Sequence, residues 1–154
     1  MLTRRSFFAG AAGIIAVSPI AGMAQTAPEI HVMKDPNCGC CKAWMNVLTD
    51  DGFKVTSENG FGTLLIRYKL DNGVPQKMMS CHTAKVDGYM IEGHVPPADI
   101  RRLLAERPDA VGLAVPDMPY GSPGMGPEDK REAYDVFLIH RDGSTEVFQS
   151  YEAA

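Results

Sequence analysis

Residues 35–42 read DPNCGCCK and set three thiols into four positions, directly after the short apolar run EIHVM at 29–33. Any fold open to this chain must end a strand there, turn at Asp35-Pro36-Asn37 and enter the next element with its cysteines crowded at one point. The next element is helical, because CKAWMNVLTDDG (41–52) places Trp44, Val47 and Leu48 at helical spacing before Gly52 stops it. The cysteines therefore straddle a strand-to-helix junction.

Beyond it, FKVTS (53–57) alternates as a second strand, and 62–70 makes a helix that Asn72-Gly73 and Pro75 end. Strands at 82–86 and 89–92 flank Asp87-Gly88, a two-residue hairpin signal. Pro96-Pro97 opens a helix with Ile100, Leu103 and Leu104 on one face, and Arg107-Pro108 closes it. After VGLAV (111–115) comes PDMPYGSPGMGPED, whose four prolines and three glycines make it too long and irregular for mere connection. Strands at 134–140 and 145–149 flank Asp142-Gly143 as a second hairpin. The expected fold class is α/β: a thioredoxin-like sandwich, with a mixed sheet, flanking helices and an added C-terminal hairpin.

The first residues predict where the thiols work. MLTRRSFFAGAAGIIAVSPIAGMAQ joins adjacent Arg4 and Arg5 to a short apolar stretch and a small-residue end, which reads as a twin-arginine signal peptide cleaved after Ala24. A membrane anchor is the competing reading, but the apolar core from Phe7 to Val17 is too short for a hydrocarbon layer of about 30 Å. The expectation is a leader at 1–24 and one exported, periplasmic domain at 25–154, with no membrane contact after cleavage. Without Arg4 and Arg5, the 15 basic residues fall to 13 against 19 acidic ones. That balance argues against a nucleic-acid partner.

Three readings fit Cys38, Cys40, Cys41 and Cys81. Four exported cysteines suggest two structural disulfides, yet a bond between Cys40 and Cys41 would close a strained ring, and Cys38 bonded within the motif clamps only a tiny loop. As a C-x-x-C at a helix start, Cys38 is an attacking thiolate and Cys41 its resolving partner. Cys40 and Cys81 then have no task. The third reading uses all four as a sulfur-rich pocket for a soft ion, Cu(I) above all, with zinc or an iron–sulfur cluster ranking lower. Crowded thiolates repel one another until a cation holds them deprotonated. Gly39, lacking a Cβ, is expected to let the backbone bend so that the three converge.

Other donors lie near these in sequence. His82 follows Cys81 at the expected start of a strand, where neighbours face opposite sides, so it is either a ligand through a distorted backbone or a supporting residue. His94, between a strand end and a proline-led helix, is a ligand or a loop imidazole bonded to backbone. Met118 and Met125 lie in the Gly/Pro loop, as thioether donors to Cu(I) or as parts of an adaptable lid. His31 and His140 read as structural, and Trp44 as a core anchor.

DPNCGCC, SCHT at 80–83, VDGYMIEGHVP at 86–96 and RRLLAERPDAVGLAVPDMPYGSPGM at 101–125 together resemble the CopG-like family of exported copper-binding proteins, which have a thioredoxin-like fold and a Cys-x-Cys-Cys motif. The resemblance spans about residues 29–149. It implies copper held by Cys38, Cys40, Cys41 and Cys81, with a multinuclear cluster as one form and the loop of Met118 and Met125 nearby. It also implies a part in copper tolerance by sequestration, transfer or redox conversion. The implied partners are copper ions and other copper-handling proteins of the periplasm.

Overall fold

The computed structural model describes residues 27–154; the expected leader at 1–24 lies outside them. The elements run β1 (Glu29–Lys34), α1 (Gly39–Asp50), β2 (Lys54–Asn59), α2 (Gly62–Asp71), a 3-10 turn (Gln76–Met78), β3 (His82–Val86), β4 (Tyr89–Gly93), α3 (Pro97–Glu106), β5 (Gly112–Val115), a second 3-10 turn (Glu128–Lys130), β6 (Tyr134–Ile139) and β7 (Thr145–Tyr151). All seven strands form one sheet in the order β2-β1-β3-β4-β5-β6-β7. It is mixed: β1 with β2 and β4 with β5 pair parallel, and the other neighbours pair antiparallel. The expected α/β class, with flanking helices and an added terminal hairpin, is what forms.

Local chemistry explains the punctuation. Asp87 and Gly88 both take positive φ (47° and 90°), the conformation a tight hairpin demands, so β3 and β4 meet in register. Pro97 occupies the first turn of α3, where its missing N–H leaves no bond unmade, and Arg107 ends the helix in the left-handed region at φ 52°. One strand was not anticipated. Gly112–Val115 of the VGLAV run forms β5, which pairs with β4 on one side and β6 on the other and so joins the terminal hairpin to the sheet.

The core has two layers. Ile30, Val32, Ala84, Val86, Ile91 and Leu113 turn one sheet face toward Trp44 and Leu48 of α1 and Ile100 and Leu103 of α3. Met90, Ala114 and Ile139 line the other face, against Val74 and Met78 beyond α2, as strand alternation requires. Full burial of each large side chain on the first face contributes about 1.5–3 kcal/mol. That packing fixes the N-terminal end of α1 against the ends of β1 and β3.

Candidate metal centre

Pairing register brings the cysteines together. β1 and β3 run antiparallel with Lys34 opposite His82, so Cys81, one residue ahead of β3, arrives where the chain leaves β1 for the cysteine turn. Cys38 is the N-cap of α1, extended at φ −71° and ψ 100°, and its Sγ accepts the Cys41 N–H at 3.3 Å. Cys40 and Cys41 occupy the first helical turn. Cys38 and Cys41 are joined by a disulfide, while Cys40 and Cys81 are free. Cys40 Sγ lies 3.5 Å from Cys38 Sγ, and Cys81 Sγ lies 3.6 Å from both Cys40 Sγ and Cys41 Sγ. All four sulfurs fall within 4.8 Å of one another.

Two imidazoles close on the same point. His82 Nδ1 is 3.2 Å and His94 Nε2 3.3 Å from Cys81 Sγ, and Cys81, His82 and His94 form a second donor group sharing that sulfur. His94 has a fixed tautomer. Its Nδ1 is 2.8 Å from the Pro123 carbonyl, which only accepts, so Nδ1 carries the proton and Nε2 presents a bare lone pair toward the sulfur. His82 is wholly buried and its Nε2 has no hydrogen-bond partner, a polar atom left over for a ligand or an ordered water. Trp44 walls the site, its ring 4.4 Å from that of His82 and its Nε1 donating to the Val95 carbonyl at 2.9 Å.

The electrostatics favour neutral side chains. Burial, then the neighbouring Cys40, pushes the Cys81 thiol up to about 12. Burial also holds His82 well below the usual imidazole range, with His94 adding to the effect, and lowers His94. The site thus offers uncharged imidazoles and a protonated Cys81 that a soft cation would deprotonate on binding.

The Gly/Pro loop seats over this end of the sheet. Ser80 Oγ donates to the Asp117 carbonyl at 2.7 Å, and a Cβ on Gly124 (φ 82°) would lie 2.5 Å from Trp44 N, so only glycine lets the loop lie against α1. Met118 is 49 % exposed, and Met125 holds a turn through its own backbone, its N–H donating to the Ser122 carbonyl and its carbonyl accepting from Gly121 N–H. The fold gathers both histidines at the sulfurs and leaves the two methionines in the loop.

One expectation fails. Gly39 is the first residue of α1, it is not among the glycines with positive φ, and a Cβ there would meet nothing within 4 Å. The cysteines converge because a helix turn and a strand register bring them together, not because of a bend at Gly39. Gly39→Ala is accordingly expected to leave the convergence of the four sulfurs unchanged and to shift stability by no more than about 1 kcal/mol, checked by thiol labelling of Cys40 and Cys81 and by thermal melting.

Sequence reasoning missed the buried pair Lys69–Glu92, whose Nζ and Oε1 are 2.6 Å apart with the two side chains 2 % and 0 % exposed. Its trace in the sequence is Lys69 four residues after Leu65, on the buried stripe of α2.

A family model described as "Protein of unknown function, DUF411" matches residues 78–125, the span from Met78 through Cys81, His82 and His94 to the Gly/Pro loop. A comparison with curated proteins finds no match. Among solved structures, "Copper resistance protein copG- Form 1" is 47 % identical with a TM-score of 0.75, covering 81 % of this chain and 98 % of its own. "Copper resistance protein copG- Form 2" is 46 % identical with a TM-score of 0.74 and the same coverage. With close to half its residues identical along nearly the whole length of those proteins, this chain belongs to the CopG family of copper resistance proteins.

Proposed function

We propose that this protein is exported to the periplasm, by the twin-arginine route and with removal of residues 1–24, and there holds Cu(I) through the thiolates of Cys38, Cys40, Cys41 and Cys81. His94 Nε2 and His82 serve as imidazole donors beside Cys81, and Met118 and Met125 as thioethers of the overlying loop. The observation that carries this reading is the convergence of four sulfurs within 4.8 Å. Thiolate and imidazole together suit both copper and zinc; copper ranks first, and zinc and iron–sulfur clusters lower, because the solved structures this chain resembles are copper resistance proteins. The thioredoxin-like reading of the fold is supported by the β-α-β-α-β-β-α succession and the sheet order β2-β1-β3-β4.

Using all four thiolates requires reduction of the Cys38–Cys41 bond by an external dithiol, which gives up two electrons and two protons and leaves as a disulfide while Cys38 and Cys41 become two thiols. The pair is thereby both a gate on metal capacity and a two-electron store. Sequestration, transfer to another periplasmic copper-handling protein and redox conversion of copper all draw on these same residues. Copper content by mass spectrometry, paired with free-thiol counts before and after chelation, tests the reading. Several coppers per chain, with thiols released only by chelation, are expected; protein from copper-fed cells without copper would refute it.

Binding through thiolates displaces protons. Cys81 carries its proton throughout pH 6–8 in the metal-free protein, since its thiol lies near pH 12. Copper affinity is therefore expected to fall as pH drops, by up to about tenfold per pH unit for each proton displaced. Competition against a Cu(I) chelator from pH 8 to pH 6 measures this, and a flat profile would count against thiolate ligation.

The disulfide itself favours a second reading, thiol–disulfide exchange by Cys38 and Cys41. Cys38 is partly exposed and Cys41 fully buried, the asymmetry expected of an attacking and a resolving thiol.

A further inference from the structure

We propose that the buried Lys69–Glu92 ion pair positions Cys81, by clamping both backbone polar groups of Ser80; the inference rests on Cys81 being a copper ligand. Lys69 Nζ donates to the Ser80 carbonyl at 2.6 Å and to Glu92 Oε1 at 2.6 Å, and Ser80 N–H donates to the same Oε1 at 2.6 Å. Ser80 and Cys81 belong to neither helix nor strand. The other three cysteines are held by the cap and first turn of α1, whereas the residue before Cys81 has no ladder to fix it. The ion pair supplies what the ladder omits.

Two further features converge on Ser80. Its hydroxyl donates to the Asp117 carbonyl, tying the same residue to the overlying loop. On the other side Gly93, at φ 71°, makes room for it: a Cβ there would stand 2.7 Å from Ser80 Cβ and 2.5 Å from the Val115 carbonyl oxygen. α2, β4 and the Gly/Pro loop thus meet at one residue, and the next residue carries the sulfur that lies 3.6 Å from both Cys40 Sγ and Cys41 Sγ.

Stability alone gives a weak reason for such a pair. It lies beside an apolar layer containing Met90 and Ala114, and apolar residues of similar volume often replace a buried ion pair with neutral or favourable effect. The pair's directional bonds to Ser80 are what apolar residues cannot reproduce. Lys69 and Glu92 are positioning residues, acting on copper through the backbone of Ser80.

Two double variants separate the roles. Lys69→Met with Glu92→Leu removes charge and clamp together; Lys69→Gln with Glu92→Gln removes the charges and keeps a donor for the Ser80 carbonyl and an acceptor for its N–H. Thermal midpoints, Cu(I) competition against a chelator and iodoacetamide labelling of Cys81 relative to Cys40 in metal-free protein are measured on both and on the wild type. The apolar pair, which leaves the Ser80 N–H and carbonyl without their partners, is expected to melt below the wild type while still folding, bind Cu(I) roughly 10- to 100-fold more weakly and label faster at Cys81, while the amide pair binds within about threefold of the wild type. An apolar pair that folds with wild-type copper affinity and labelling overturns the proposal. If the apolar pair does not fold, the amide pair keeps the proposal falsifiable: a tenfold or greater loss of affinity in folded protein overturns it. A wild type that takes up no Cu(I) defeats the copper reading, and the labelling ratio still tests the clamp.

Discussion

Cys81→Ser is expected to remove tight copper binding while leaving disulfide exchange at Cys38 and Cys41 largely intact. Cys81 Sγ is where the two donor groups meet: Cys40 and Cys41 lie 3.6 Å away on one side, His82 and His94 within 3.3 Å on the other. A serine hydroxyl is shorter, harder and protonated at any working pH, so the four-sulfur set shrinks to the cysteines of the α1 turn and both imidazoles lose their shared neighbour. The loss in Cu(I) affinity should exceed about 100-fold, the upper range for losing a residue that merely supports a ligand. Little folding energy is at stake, because the residue is only partly buried and lies outside the strand; a change within about 1 kcal/mol is expected. Chelator competition and a disulfide-reductase assay on one preparation check both halves. Retained copper affinity would show that Cys81 is not a ligand, and loss of exchange along with copper would tie the two activities to one four-cysteine unit.

Lys69→Met alone should be the most damaging single change on the α2 side of the sheet. It leaves Glu92, 0 % exposed, as an uncompensated carboxylate whose second oxygen already has no partner. Breaking a buried pair in this way costs about 3–5 kcal/mol, which lowers the melting temperature of a domain this size by on the order of 10 °C or more. The pH dependence has a definite sign. Burial already raises Glu92 above the usual carboxylate range, with Lys69 opposing, so removing Lys69 raises it further. A carboxyl raised in the folded state stabilises when protonated and loses that contribution as pH climbs through its folded value. The deficit of Lys69→Met should therefore shrink as the solution is acidified toward the ordinary carboxylate range. Thermal melts of both proteins from pH 8 to pH 5 test this, and a deficit that widens on acidification would overturn the account.

The sequence made the strand–helix alternation, the Asp87-Gly88 hairpin and the Pro-led α3 legible, since each rests on local backbone chemistry that no tertiary contact overrides. β5 was harder to read, because a four-residue apolar run has no periodicity and becomes a strand only when β4 and β6 pair with it on either side. Cys81 and His82 posed a conflict, since adjacent strand residues face opposite ways. The structure removes it by starting β3 at His82, so alternation places no constraint on Cys81 and both residues reach the same point. The approach of His94 depends on Gly93 at φ 71° and on the Pro123 carbonyl, 29 residues distant in sequence. Lys69 and Glu92 left only the oddity of a lysine on a buried stripe, because an ion pair across 23 residues exists only once the sheet has formed.

The chain contains a single tryptophan, and the fold presses that indole against His82, whose imidazole lies 5.0 Å from the ring of His94. Light absorbed by that indole at the red edge of the protein spectrum is therefore emitted from the wall of the cysteine centre. Any event there that alters His82, be it proton, metal or a change in the bonding of the sulfurs, changes the brightness of the whole molecule without a dye being attached.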